Sequence, residues 1–145
     1  MEKNNEMADN YIDPTQESGA AFFTRGLTGP IVMLNLLRFK EVADYSSSPE
    51  LAPLNPISGR EAYEIYMAHT DPFLAASGGE VIFLGDGGQF LVGPQAERWD
   101  MVMLVKQRST ADFLAFAQNP EYMAGIGHRT AALADSRLLP IVESQ

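Results

Sequence analysis

The chain contains no cysteine. Disulfides, thiolate catalysis, cysteine-held zinc and iron–sulfur clusters are thereby excluded, and a reducing compartment is the expected setting. Histidine is nearly as scarce, with two residues, and tryptophan occurs once, as Trp99. Positive charge is also short: 10 Lys and Arg against 19 Asp and Glu give a formal net charge of −9. A phosphate backbone repels such a surface at long range, so nucleic acid is not an expected partner. Long apolar runs are missing too. The run at 101–105 falls far short of the roughly 20 residues that span a bilayer. The N-terminus, Met1-Glu2-Lys3-Asn4-Asn5-Glu6, has no apolar stretch of a secretory signal. The expectation is a cytoplasmic protein with no membrane partner.

Several chemical motifs are absent. There is no His-x-x-x-His, no Glu-x-x-His and no Asp-rich calcium loop, so no metal is expected. Gly85-Asp86-Gly87-Gly88 lies at a strand interruption rather than ahead of a helix, which removes it as a phosphate cradle. No Gly-x-Ser-x-Gly elbow occurs. No cofactor is expected.

What remains is a chain of 145 residues, 46% hydrophobic and 20% charged, enough for one core without staples. Residues 1–12 are polar and aperiodic and read as a flexible tail, with a single domain over 13–145. Asp13-Pro14 predicts a helix start, Asp13 as cap and Pro14 at the first helical position. Ile31–Phe39 reads as a strand apolar on both faces. By alternation Asn35 shares one face with Ile31, Met33, Leu37 and Phe39, and Arg38 shares the other with Val32, Leu34 and Leu36. Three prolines and a serine run at 43–57 predict a mobile surface loop. Ser58-Gly59-Arg60-Glu61 is a capping box, and Ala62, Ile65, Tyr66, His69 and Phe73 follow at helical spacing. Pro72 is expected to kink or interrupt that helix. A second strand is predicted at 81–84, with a bulge or turn at Asp86-Gly87-Gly88, and a third at Arg98–Gln107. Ser109 and Asn119-Pro120 open two helical segments, and 137–142 is the last strand.

Strand, helix, strand, strand, helix, strand is the split βαβ order of a ferredoxin-like α+β unit, here with an added N-terminal helix. Helices cover one face of such a sheet. The other face is apolar in the first and third strands, and it exceeds the few hundred Å² of apolar patch that a monomer tolerates. Pairing of two sheets into a homodimer, a dimeric α+β barrel, is the simplest cover.

Met33-Leu34-Asn35-Leu36-Leu37-Arg38-Phe39, Gly59 with Glu61-Ala62-Tyr63, Leu91-Val92-Gly93-Pro94, Glu97-Arg98-Trp99-Asp100, Pro120-Glu121-Tyr122, His128-Arg129-Thr130 and Asp135-Ser136-Arg137-Leu138 together resemble the family called domain of unknown function 1330. The resemblance implies a dimeric α+β barrel and no particular activity. The wider superfamily includes cofactor-free monooxygenases, polyketide cyclases, muconolactone isomerases and haem-binding members, an analogy of fold alone.

Candidate site residues follow from polar groups on apolar elements. Asn35 and Arg38 are costly to bury unless bonded or facing a ligand. Tyr66 and Tyr122 lie on inward helical stripes, and Trp99 and Met33 offer apolar walls. Arg129 can hold a carboxylate in two-pronged fashion, or it can form a structural pair with Asp100 or Asp135. His69, Asp100 and Tyr122 are the titratable groups that could act as acid or base. Beside each stands a bland reading: a backbone-bonded Asn35, a satisfied buried His69, an ion-paired Asp100. Two functions follow. One is a cofactor-independent enzyme on a small apolar carbonyl or aromatic compound, of monooxygenase, cyclase or isomerase type. The other is a non-catalytic dimer that binds such a molecule. The pocket is expected against the first strand and the last helical segment.

Overall fold

The computed structural model describes residues 10–144. Four strands, β1 (Ile31–Phe39), β2 (Glu80–Gln89), β3 (Arg98–Gln107) and β4 (Leu133–Ile141), form one antiparallel sheet in the order β2-β3-β1-β4. Five helices accompany it: α1 (Gln16–Thr24), α2 (Gly59–Ala76), α3 (Thr110–Ala117), α4 (Pro120–Met123) and α5 (Ile126–Ala132). This is the ferredoxin-like α+β arrangement expected from the element order, with α1 added ahead of β1.

The helices lie on one face. Leu37, Met101 and Met103 of the sheet pack with Ala62, Tyr63 and Tyr66 of α2, Tyr122 of α4 and Ala132 of α5. Register follows the alternation, with Leu37 opposite Met101, Asn35 opposite Met103 and Met33 opposite Val105. The other face carries Val32, Leu34 and Leu36 of β1, with Leu104 opposite Leu34 and Val102 opposite Leu36. Among the described residues no helix is packed on it, and the 26–30 segment borders its Val32 end. Phe83 and Leu139, which register against Leu104 and Leu34, are each 54% exposed.

Local signals set most boundaries. Ser58 caps α2 by accepting from the Glu61 amide at 3.0 Å, and the Glu61 carboxylate takes the Ser58 amide at 2.9 Å. Gly59 at the first helical position is required by close approach, because a Cβ there would sit 2.7 Å from the Ala132 carbonyl oxygen. Ser109 and Asn119 cap α3 and α4 as expected.

Other boundaries differ from the expectations. Thr15, not Asp13, caps α1, because Asp13 is drawn to Arg129 at 3.6 Å. Pro72 sits inside α2 without ending it. The missing amide is one bond, whereas Phe73 and Leu74 beyond it pack inward, and their burial outweighs the loss. β2 runs unbroken through Gly88, and its irregularity lies between Val81 and Phe83. β4 begins at Leu133, directly after α5, four residues ahead of the expected start. The 43–57 segment, expected as a mobile surface loop, bonds itself and the body at its ends. The Ala43 amide bonds the Ile57 carbonyl and the Asp44 amide the Ala131 carbonyl, each at 2.9 Å. Most of the expected tail, residues 1–9, lies outside the described residues. Tyr11 and Ile12 are bonded to the body, the Tyr11 amide to Asp135 at 2.8 Å and the Ile12 carbonyl to Arg129 at 2.7 Å. No described helix is long and apolar enough to cross a membrane.

Candidate functional site

The candidate residues divide between the two faces of the sheet. On the helix side, the Tyr66 and Tyr122 hydroxyls share a 2.7 Å hydrogen bond in the core. Tyr122 also lies against Phe116, ring centroids 4.4 Å apart. Burial, with Tyr66 beside it, pushes the Tyr122 phenol far above its ordinary range, so it is held neutral. Tyr63 is raised likewise by burial, and nearby Arg129 pulls weakly the other way.

The other helix-side candidates are committed to backbone. His69 Nε2–H donates to the carbonyls of Glu121 at 2.8 Å and Tyr122 at 3.2 Å. It ties α2 to α4, with its ring against Gly125. Asn35 Nδ2 donates to the carbonyls of Met33 at 3.2 Å and Met103 at 3.4 Å. Arg129 Nη1 bonds the Ile12 carbonyl at 2.7 Å and pairs with Asp13 at 3.6 Å. Its expected partners were Asp100 or Asp135. Asp13 takes that place because the chain ahead of α1 folds back over α5. His128 bonds Tyr45 at 2.7 Å through Nδ1.

Asp100 answers a backbone need. Regular β1–β3 pairing stops at Leu37, and the β1–β4 register shifts between Arg38 and Phe39. The freed Phe39 amide donates to Asp100 Oδ2 at 2.9 Å, and Arg98 approaches Oδ1 at 3.5 Å.

Beside it lies a second grouping. Arg38 registers opposite Asp135, and Leu36 opposite Arg137, so both arginines belong to the uncovered face. Asp135 is 2% exposed. It accepts from Arg38 Nη2 at 3.1 Å, Arg137 Nη1 at 2.8 Å, the Tyr11 amide at 2.8 Å and the Ser136 amide at 2.9 Å. The Arg38 and Arg137 guanidinium carbons stand 5.2 and 5.0 Å from the Trp99 ring centre. Trp99 Nε1 donates to Glu97 at 3.0 Å.

The structure thus joins Arg38 with Trp99 at the end of the strands, and Tyr66 with Tyr122 in the core. A single pocket uniting Asn35 or Arg38 with Tyr122 and Arg129 is not formed. Two clefts are open instead. One of about 300 Å³ lies in the 42–57 segment. The other, of about 570 Å³, lies between the 26–30 segment, Val32, Ile82, Lys106 and Val142. Among the described residues no three His, Asp or Glu side chains gather as a metal site. Arg137 and Tyr11 escaped the sequence reading. The one signal for Arg137, its place in Asp135-Ser136-Arg137, gains meaning only with the β1–β4 register.

A ferredoxin-like α+β domain with one sheet face left bare is the class that this geometry defines. The chain belongs to the family described as Domain of unknown function (DUF1330), whose model matches residues 51–143. It is similar to a solved protein of unknown function from Rhodopseudomonas palustris at 35% identity, over 94% of this chain and 99% of that one, with a TM-score of 0.83. A dimeric ferredoxin-like protein of unknown function from Jannaschia sp. CCS1 shares the fold at 15% identity, over 79% of this chain and 100% of that one, TM-score 0.52. No curated protein matches the chain.

Proposed function

We propose that the protein is a homodimer whose bare sheet faces meet, and that it binds a small, largely apolar molecule in the space between them. The carrying observation is the uncovered face itself. Val32, Leu34, Leu36, Val102 and Leu104 lie on it, flanked by Phe83 and Leu139, with no described helix over them. Such a face stays out of water by pairing, and a second copy presents the matching surface. The dimeric state of the Jannaschia protein supports this cover. Small-molecule sites are apolar hollows with a few polar groups at fixed places, and Arg38 and Arg137 are such groups at the edge of this face.

Binding is favoured over catalysis by the occupations of the titratable candidates. His69 and Asp100 bond backbone, and Tyr122 bonds Tyr66. A catalytic acid or base must reach the ligand. Neither His69 nor Tyr122 belongs to the arginine grouping, and Asp100, on the Val102 and Leu104 side of β3, is held by the Phe39 amide and Arg98.

Nile red, a neutral apolar dye, tests the reading when titrated across protein concentrations that span dimer dissociation. Saturable binding that tracks the dimer population is expected. Dye binding that persists unchanged in the monomer, or no saturable binding at any concentration, would count against an enclosed apolar space.

A further inference from the structure

We infer that Arg38 and Arg137, set on Trp99, form the anchor for an anionic group, a carboxylate or enolate carried on a planar apolar molecule. The inference rests on the proposed binding face and names the chemistry of its ligand.

Three observations carry it. First, the two guanidinium groups share one buried carboxylate. Asp135 divides its oxygens between them, Oδ2 to Arg38 and Oδ1 to Arg137, while the neighbouring carboxylates are engaged elsewhere, Asp100 with Arg98 and the Phe39 amide and Glu97 with the indole N–H. In a chain of net charge −9, a pair of cations matched by one such carboxylate is an uncommon local arrangement. Both arginines remain open, with side chains 33% and 40% exposed against 3% for Asp135.

Second, the guanidinium planes are held before any ligand arrives. Arg137 packs on two rings, 4.8 Å from the Tyr11 centre and 5.0 Å from the Trp99 centre. Arg38 is steadied by Asp135 and by the Arg98 carbonyl at 3.4 Å. Among the described residues Arg137 bonds only through Nη1. Its Nε and Nη2 donors are left for a two-oxygen acceptor, the geometry in which arginine binds carboxylates best. Fixing the donors in advance lowers the ordering cost of binding.

Third, the anchor adjoins the apolar surface. Arg38 ends the row Val32, Leu34, Leu36, and Arg137 is registered opposite Leu36. A ligand whose apolar body lies on Leu36 and Val102 reaches the arginines with its charged end. Tyr11 belongs to this anchor as a positioning residue, since its ring packs on the Arg137 guanidinium.

The test uses the full chain and two probes of equal shape, 3-phenylpropionate and neutral 3-phenylpropanol, with calorimetry and the emission of Trp99, the only tryptophan. The expected result is binding of the acid about tenfold or more tighter than the alcohol, with a change in Trp99 emission. Arg137→Met should remove that preference with dimerisation intact. Arg137→Lys, which keeps the charge and folds more safely, should weaken the acid while retaining part of the preference, because a point charge replaces a planar fork. Equal affinity for both probes overturns the anchor and leaves the apolar-binding reading standing. An undiminished preference in both arginine variants overturns the anchor as well. If neither probe binds up to millimolar concentration, the anchor falls, and a monomeric state in the same sample takes the binding reading with it.

Discussion

The two faces of the sheet carry similar side chains in opposite circumstances. On the helix side, polar groups among the apolar ones are closed on one another or on backbone. Tyr66 meets Tyr122, His69 meets two carbonyls, Asn35 meets two carbonyls, and Arg129 holds Ile12 and Asp13. On the bare side, Leu and Val rows end at two half-open arginines braced by one carboxylate and one indole. A closed network supplies stability and fold specificity. A braced but open one keeps donors exposed, which is the basis of the proposed anchor. Tyr122, His69 and Asn35, which look chemical in sequence, have their polar groups bonded within the fold, while Arg38 and Arg137 keep donors exposed.

The contrast can be broken first at its strongest point. Tyr122→Ala empties the centre of the closed face and should cost about 3–5 kcal/mol in chemical denaturation, with the affinity of dimerisation unchanged. Leu36→Asp does the reverse. It places a carboxylate in the middle of the bare face, where pairing would leave it buried and unpaired. The dimer dissociation constant should rise by about a hundredfold or more, near 3 kcal/mol, while the monomer keeps its far-ultraviolet circular dichroism.

A finer probe of the closed face is Tyr66→Phe. It strands the Tyr122 hydroxyl in the core and should cost about 1–2 kcal/mol, whereas the double variant with Tyr122→Phe should recover part of that loss. The smallest effect concerns pH. Burial, with His69 nearby, lowers the His128 pKa below its ordinary 6.5. The unfolded chain therefore binds the proton more readily, and stability should fall as pH drops from about 7 through 6.5 and below. Thermal scans at several pH values should show this slope, and His128→Gln should flatten it.

The sequence made the closed face legible because its signals are local. The Ser58 capping box, the bounds of Arg98–Gln107, the Asn119-Pro120 start and the facing of Asn35 with Met33 and Leu37 follow from spacing alone. Pro72 and the glycines of β2 misled for the opposite reason. Tertiary packing of Phe73 and Leu74, and pairing of Gly88 with Trp99, override a local breaker. The bare face could be seen as apolar, and a dimer inferred, but its arginine pair could not. Arg38 lies 97 positions from Asp135 and meets it and Arg137 only through the β1–β4 register, and no period in the sequence reports which strands adjoin. The Arg129–Asp13 pair was missed likewise, because it depends on how the chain ahead of α1 returns across α5.

Everything proposed for the bare face depends on a second copy covering it. Sedimentation velocity of the full chain at micromolar concentration tests this most directly. The account predicts one species of dimer mass that dissociates only on strong dilution. A well-folded monomer as the sole species at those concentrations would contradict it.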